Sequence, residues 1–166
     1  MESLKLSEII GQEITDVRFR FTPETDEKYS VQSFHTFIKL ANNRIIDIPN
    51  FDDDDYLELS KENQDYLQNN FGDGNPISDS GKSIIIGQKI VDFFFCYFNN
   101  ELDNGHSAYI KLSNGHYITE RSYAPTGIPV GFMLLDEKQF LEGKDSLSTR
   151  LEIKVQSFLK RKGITK

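Results

Sequence analysis

Apolar and polar residues alternate strictly along Val17-Arg18-Phe19-Arg20-Phe21. A period of two puts Val17, Phe19 and Phe21 on one face and both arginines on the other, the pattern of a half-buried strand. The segment 93–98 differs. Phe93, Phe95 and Tyr97 share one face there, and Phe94, Cys96 and Phe98 share the other. Both faces are apolar, so both need cover. Downstream of each strand the pattern predicts a hairpin. Asn114-Gly115 separates the runs 109–113 and 116–120, and Asn-Gly between alternating runs predicts a two-residue type I′ turn. Asn42-Asn43 can serve the same purpose before Ile45-Ile46-Asp47-Ile48, because Asn tolerates positive φ. Further strands are predicted at 56–59 and 130–135. The second is approached through a loop shaped by Pro125, Gly127, Pro129 and Gly131.

Helical signals are fewer. Residues 3–10 can form a short helix stopped by Gly11, and the same layout precedes Gly87. Residues 60–69 suit a helix capped by Ser60. Leu147, Leu151, Val155, Phe158 and Leu159 recur at helical spacing and predict an amphipathic helix over about 145–162. Asp145 or Ser146 would cap it and Gly163 would stop it, with Lys160, Arg161 and Lys162 suiting the helix dipole in its last turn. That helix is expected to cover the Phe94, Cys96 and Phe98 face; otherwise the face is an interface with a partner.

The chain also repeats itself. Ile-Ile-Gly-Gln-Glu-Ile-Thr-Asp at 9–16 returns at 85–92 as Ile-Ile-Gly-Gln-Lys-Ile-Val-Asp, with six of eight positions identical. Phe-Ile-Lys-Leu-Ala-Asn-Asn at 37–43 returns at 109–115 as Tyr-Ile-Lys-Leu-Ser-Asn-Gly. The offsets are 76 and 72, so the loop between the matches is shorter in the second copy. The fold expected is α+β: two tandem copies of a short helix plus antiparallel β-meander, with the C-terminal helix packed on the sheet. The first copy spans 7–59, a linker helix and loop 60–82, and the second copy 83–135. An all-β sandwich with peripheral helices is the alternative.

At 166 residues the chain suits one domain with its own core. One cysteine, Cys96, leaves no intramolecular disulfide and no cysteine-cluster metal site. It sits in the aromatic strand with no basic neighbour, and is expected to be a small core hydrophobe. The longest apolar run is far short of a membrane span and the first residues lack the apolar stretch of a signal peptide, so a cytoplasmic protein with no membrane partner is expected. Net charge is −7, unevenly distributed. Residues 1–59 carry 13 acidic and six basic groups, whereas 136–166 carry five acidic and eight basic. The acidic half repels phosphate backbones and attracts basic partners. Nucleic acid is not expected as a partner, although Arg18 to Phe21 interleaves aromatic and basic residues.

Familiar chemistry is mostly missing. Gly81-Lys82-Ser83 lacks the glycine spacing of a P-loop. Asp52, Asp53, Asp54 and Asp55, with Glu58, lack the spacing and mid-loop glycine of a calcium loop, so they form a solvated charged segment or a docking patch. His35 and His106 precede the matching hairpin strands and could meet across a two-fold axis, with Lys39 or Lys111 nearby; His116 follows the second turn. Tyr117, Tyr123 and the 124–127 loop form the most ligand-like surface, since tyrosines recognise partners at low entropic cost. No cofactor is implied.

The acidic first unit (Asp47, Asp52 to Asp55, Glu58), the aromatic-rich strands and the lack of a catalytic set resemble the small acidic cytosolic immunity proteins of bacterial toxin/immunity systems, including contact-dependent inhibition. The resemblance is one of type and rests on no diagnostic motif. It implies a non-enzymatic monomer or weak dimer that binds a basic, nuclease-like toxin through carboxylates, with fast steered association. A small-ligand or adaptor module is the second class. An enzyme with a histidine-containing site between the repeats is the third.

Overall fold

The computed structural model describes residues 2–21, 34–48, 56–59, 61–103, 106–123 and 128–163. In chain order the elements are β1 (Glu2–Lys5), α1 (Leu6–Ile9), β2 (Ile14–Phe21), β3 (Phe34–Leu40), β4 (Ile45–Asp47), β5 (Tyr56–Leu59), α2 (Lys61–Gly72), β6 (Asn75–Pro76), α3 (Asp79–Ile85), β7 (Ile90–Phe98), β8 (Glu101–Leu102), β9 (Tyr109–Leu112), β10 (Tyr117–Tyr123), β11 (Ile128–Leu135), α4 (Glu137–Leu151), β12 (Lys154–Ser157) and α5 (Phe158–Lys162). The fold is α+β with antiparallel pairing throughout. One sheet has the order β4-β3-β2-β6. A larger one has the order β11-β10-β9-β7-β12, with β8 on the end of β7, and β1 pairs with β5 in a two-stranded sheet.

The two halves meet at a seam of reciprocal backbone bonds. Gly11 N–H donates to Ile90 O (2.7 Å) and Gly87 N–H donates to Ile14 O (2.9 Å). Ile14 N–H donates to Gln88 O, Ile90 N–H donates to Gln12 O, and Glu13 bridges Lys89. Contacts that recur with the two segments exchanged mark a local two-fold relation. Both glycines have positive φ, +97° and +89°, with open space where a Cβ would stand. Glycine is there for its backbone conformation, not for want of room. β2 and β7 each carry a register shift after the first residue, and Asp16 and Asp92 each accept the next residue's N–H at 2.8 Å. The correspondence ends at the outer strands, since β5 pairs with β1 whereas β11 pairs with β10. Duplication of whole units over 7–59 and 83–135 therefore stays a reading of the sequence.

One apolar core lies between the halves. Val17, Phe19, Phe37 and Ile38 join Phe93, Phe95, Ile110, Ile118 and Phe158 in it. The Phe19 ring is 5.1 Å from Phe132, and Thr36 N–H donates to the Glu120 carboxylate across the sheets. A second cluster lies on the other face of the larger sheet: Cys96, Tyr109, Tyr117, Leu135, Phe140, Ile153 and Val155, with Phe94 and Leu147 at its margin. The face assignment of 93–98 and the burial of Cys96 hold.

Several expectations are corrected. The helix over about 145–162 is three elements. α4 begins earlier, at Glu137, where Asp136 accepts from Gln139 N–H and the Gln139 side chain accepts from Asp136 N–H, a capping box. Glu152 in the left-handed region (φ 56°) ends α4. Val155 then lies in β12, opposite Cys96, and only α5 runs to the stop at Gly163 (φ 69°). The Phe94 and Cys96 face is covered, but by α4, with Val155 of β12 beside Cys96 in the same sheet; Phe98 lies beyond and is 44% exposed. α5 covers the opposite face, with Phe158 6.4 Å from Phe93 and 6.5 Å from Phe95. At the start of the chain, 2–5 are strand and only 6–9 helix. The helix before Gly87 begins at Asp79, inside the segment 60–82 expected to be linker. The Asn-Gly hairpin is not type I′. Gly115 N–H donates to Leu112 O and Leu112 N–H to His116 O, so Ser113, Asn114 and Gly115 form a three-residue loop with positive φ at Gly115 alone. The primed geometry occurs instead at Asn99-Asn100, both at positive φ, between β7 and β8.

Candidate functional site

Of the expected partner-binding carboxylates, Asp47 has a described side chain. Among the described strands β4 is hydrogen-bonded to β3 alone and stands at the end of its sheet's order. Asp47 ends it, exposed, beyond the buried Ile45 and Ile46. Asp52, Asp53, Asp54 and Asp55 lie outside the described residues. The backbone of Glu58 lies in β5 and that of Tyr123 ends β10, with their side chains outside the description.

Tyr117 is a correction. It is 1% exposed, so it offers no surface to a partner. Its ring stacks on Phe140 at 3.8 Å between centroids, and its hydroxyl donates to Glu137 Oε2 at 2.9 Å. Burial, and then the bond to the Glu137 carboxylate, push its phenol far above the ordinary tyrosine range. The residue locks α4 to the sheet. His106 Nδ1 lies 3.2 Å from Asp103 Oδ2, a local contact that orients the ring. His35 contributes backbone to β3, its side chain lying outside the description. His116 keeps a buried Nδ1 with no partner among the described residues. Among those residues no cluster of three or more His, Cys, Asp or Glu side chains could hold a metal ion, and no helix is long and apolar enough to cross a membrane.

A site that the sequence did not suggest lies at the other end of the chain. An open cleft of about 400 Å³ runs along β12, lined by Phe94, Lys144, Val155, Gln156, Ser157, Lys160 and Arg161. β12 is the far edge of the larger sheet, bonded to β7 alone among the described strands. α4 brings Lys144 from one side and α5 brings Lys160 and Arg161 from the other. The base is held by Asp92, which is 8% exposed. Its carboxylate accepts from Ser157 Oγ, from Leu159 N–H at 3.2 Å and from Phe93 N–H at 2.8 Å. Ser157 Oγ in turn accepts from Lys160 N–H at 3.2 Å, capping α5. The Arg161 guanidinium lies 4.0 Å over the Tyr97 ring and donates to Gln156 Oε1 at 3.0 Å. Three cations thus face one cleft, with no acidic residue in its lining.

No family model, curated protein or solved structure matches this chain. The sequence exposed Lys160 and Arg161 only as charges suited to a helix C-terminus. The alternation Ile153-Lys154-Val155 was the available signal for an edge strand there.

Proposed function

We propose that the protein is a non-enzymatic protein-binding module that docks a basic partner on its acidic first unit, after the manner of a cytoplasmic immunity protein neutralising a nuclease-like toxin. The observation that supports this reading is the position of Asp47. It stands exposed at the end of a strand that pairs with β3 alone among the described strands, in residues 1–59 with their 13 acidic against six basic groups, and the sequence runs on from it into the acidic run 52–55 and then Glu58. An excess of carboxylates in one stretch of chain raises the local concentration of a cationic partner and speeds its approach, and does so less as salt screens it. Tyr117, being buried, has no part in that contact.

The experiment is association kinetics across a salt series with the captured partner. Replacing Asp47 and residues 52–55 by Asn should slow association by about tenfold or more at low salt and flatten its salt dependence, while dissociation changes less. Unchanged association rates would remove the docking role from this edge. A small-ligand module is the second reading, and the cleft along β12 is the observation that favours it.

A further inference from the structure

We propose that the cleft along β12 binds a small phosphate-bearing molecule. It stands independently of the docking role of the acidic edge, at the other end of the charge distribution. Three features carry it. First, Lys144, Lys160 and Arg161 converge on one concavity from two helices, and its lining contains no carboxylate. Among the described residues, neither lysine side chain forms an ion pair or hydrogen bond. Three cations against the one buried carboxylate beneath them, Asp92, leave a net positive potential, and an anion relieves it.

Second, Arg161 is held in place. Its guanidinium rests on the Tyr97 ring and one Nη1–H is engaged by Gln156. An anchored planar fork loses little freedom when it takes up two oxygens of a phosphate, which makes that geometry more selective than a mobile ammonium. Third, the floor is rigid and already satisfied. Ser157 Oγ is occupied by Asp92 and Lys160 N–H, and the Asp92 carboxylate by three donors, so the ligand is left to the three cations. Phe94 and Val155 add apolar wall for the rest of the molecule.

A cleft of about 400 Å³ is of a size to take a small molecule. The net charge of −7 also disfavours a long polyanion. Phosphate is preferred to carboxylate because three cations suit a group that carries about two charges on one centre.

The test is calorimetric titration of the full chain at low salt with pyrophosphate, inorganic phosphate, citrate and a short single-stranded oligonucleotide. Saturable pyrophosphate binding at one site is expected, with citrate weaker. Lys144→Ala with Lys160→Ala should weaken it about tenfold or more, the loss expected when two charge-assisted contacts go. Both side chains are exposed, so the melting temperature of that variant should match the wild type and serves as its control. Arg161→Lys, which keeps the charge and removes the fork, should also weaken pyrophosphate binding. No saturable binding by the wild type, or equal binding by the double lysine variant, overturns the site. Citrate binding as tightly as pyrophosphate overturns the phosphate assignment, and tighter oligonucleotide binding overturns the small-molecule one.

Discussion

Arg18 and Phe94 hold the same place in two matching strands, yet different physics covers them. Arg18 lies on β2 outside the shared core. Its Nε pairs with Asp16 Oδ2 at 3.1 Å, and its Nη1 donates to the Phe71 and Gly72 carbonyls at 3.0 and 3.3 Å. Those carbonyls belong to the last turn of α2, where unsatisfied acceptors and the helix dipole favour a cation. The guanidinium also lies 4.5 Å over the Phe71 ring. Phe94, on β7, is covered by rings instead: Phe140 at 5.1 Å and Tyr117 at 5.9 Å. The matching aspartates follow suit. Asp16 neutralises Arg18 at the half-exposed surface, whereas Asp92 is buried and spends its oxygens on α5. Even the matching lysines correspond, Lys39 standing 5.8 Å over Phe71 and Lys111 5.8 Å over Tyr117. The seam and the bulged first strands match between the halves while their outer cover differs. In the second half α4 covers the Phe94 face, β12 extends the sheet and α5 covers the Phe93 and Phe95 face, and these three elements together build the cationic cleft.

The largest effect should come from breaking the aromatic cover. Phe140→Ala removes a ring buried against Phe94, Tyr109 and Tyr117, and should destabilise the protein by about 3–5 kcal/mol in chemical denaturation. A loss under about 1 kcal/mol would mean that α4 is not packed there. Next is Asp92→Ala, which strands Ser157 Oγ and two N–H groups and should cost about 2–3 kcal/mol. Asp16→Ala, its exposed counterpart, should cost clearly less, and equal costs would contradict the contrast between the halves. At the seam the halves should behave alike. Gly11→Ala and Gly87→Ala each force a side chain into positive φ without a clash, and each should cost about 1–2 kcal/mol. A large disparity would break the two-fold relation there. The smallest effect belongs to Arg18→Ala, about 0.5–1 kcal/mol, because the ion pair is partly solvated. A salt titration of stability should diminish it and leave the Phe140→Ala cost unchanged.

What the sequence made legible follows the same division. The seam could be read because its glycines and the flanking Ile-Ile-Gly-Gln motif are local, repeated and specific. The two-faced strand 93–98 could be read because alternation is a period-two signal, and it correctly demanded cover on both sides. The cover itself could not. Residues 147 to 159 combine the end of α4, a left-handed break at Glu152, β12 and α5, and their apolar residues fall at helical spacing by coincidence of three elements. The capping box at Asp136 and Gln139 marked the true start but sat in a polar stretch with little periodicity. Tyr117 was misplaced for a related reason. A tyrosine in a hairpin strand beside a turn suggests surface, and only α4 folding over it buries the ring. The cleft escaped notice because its cations lie on separate helices and meet only once β12 joins the sheet.

The docking claim is tested most directly by a pull-down from the native host, eluted with a salt gradient, comparing the wild type with the variant carrying Asn at 47 and 52–55. The product of the adjacent gene is the specific candidate. A stoichiometric basic protein retained by the wild type, released only at high salt and lost with the variant, is the expected result. Equal retention by both proteins, or an empty wild-type column at low salt, would contradict the proposal that the acidic edge is the binding surface.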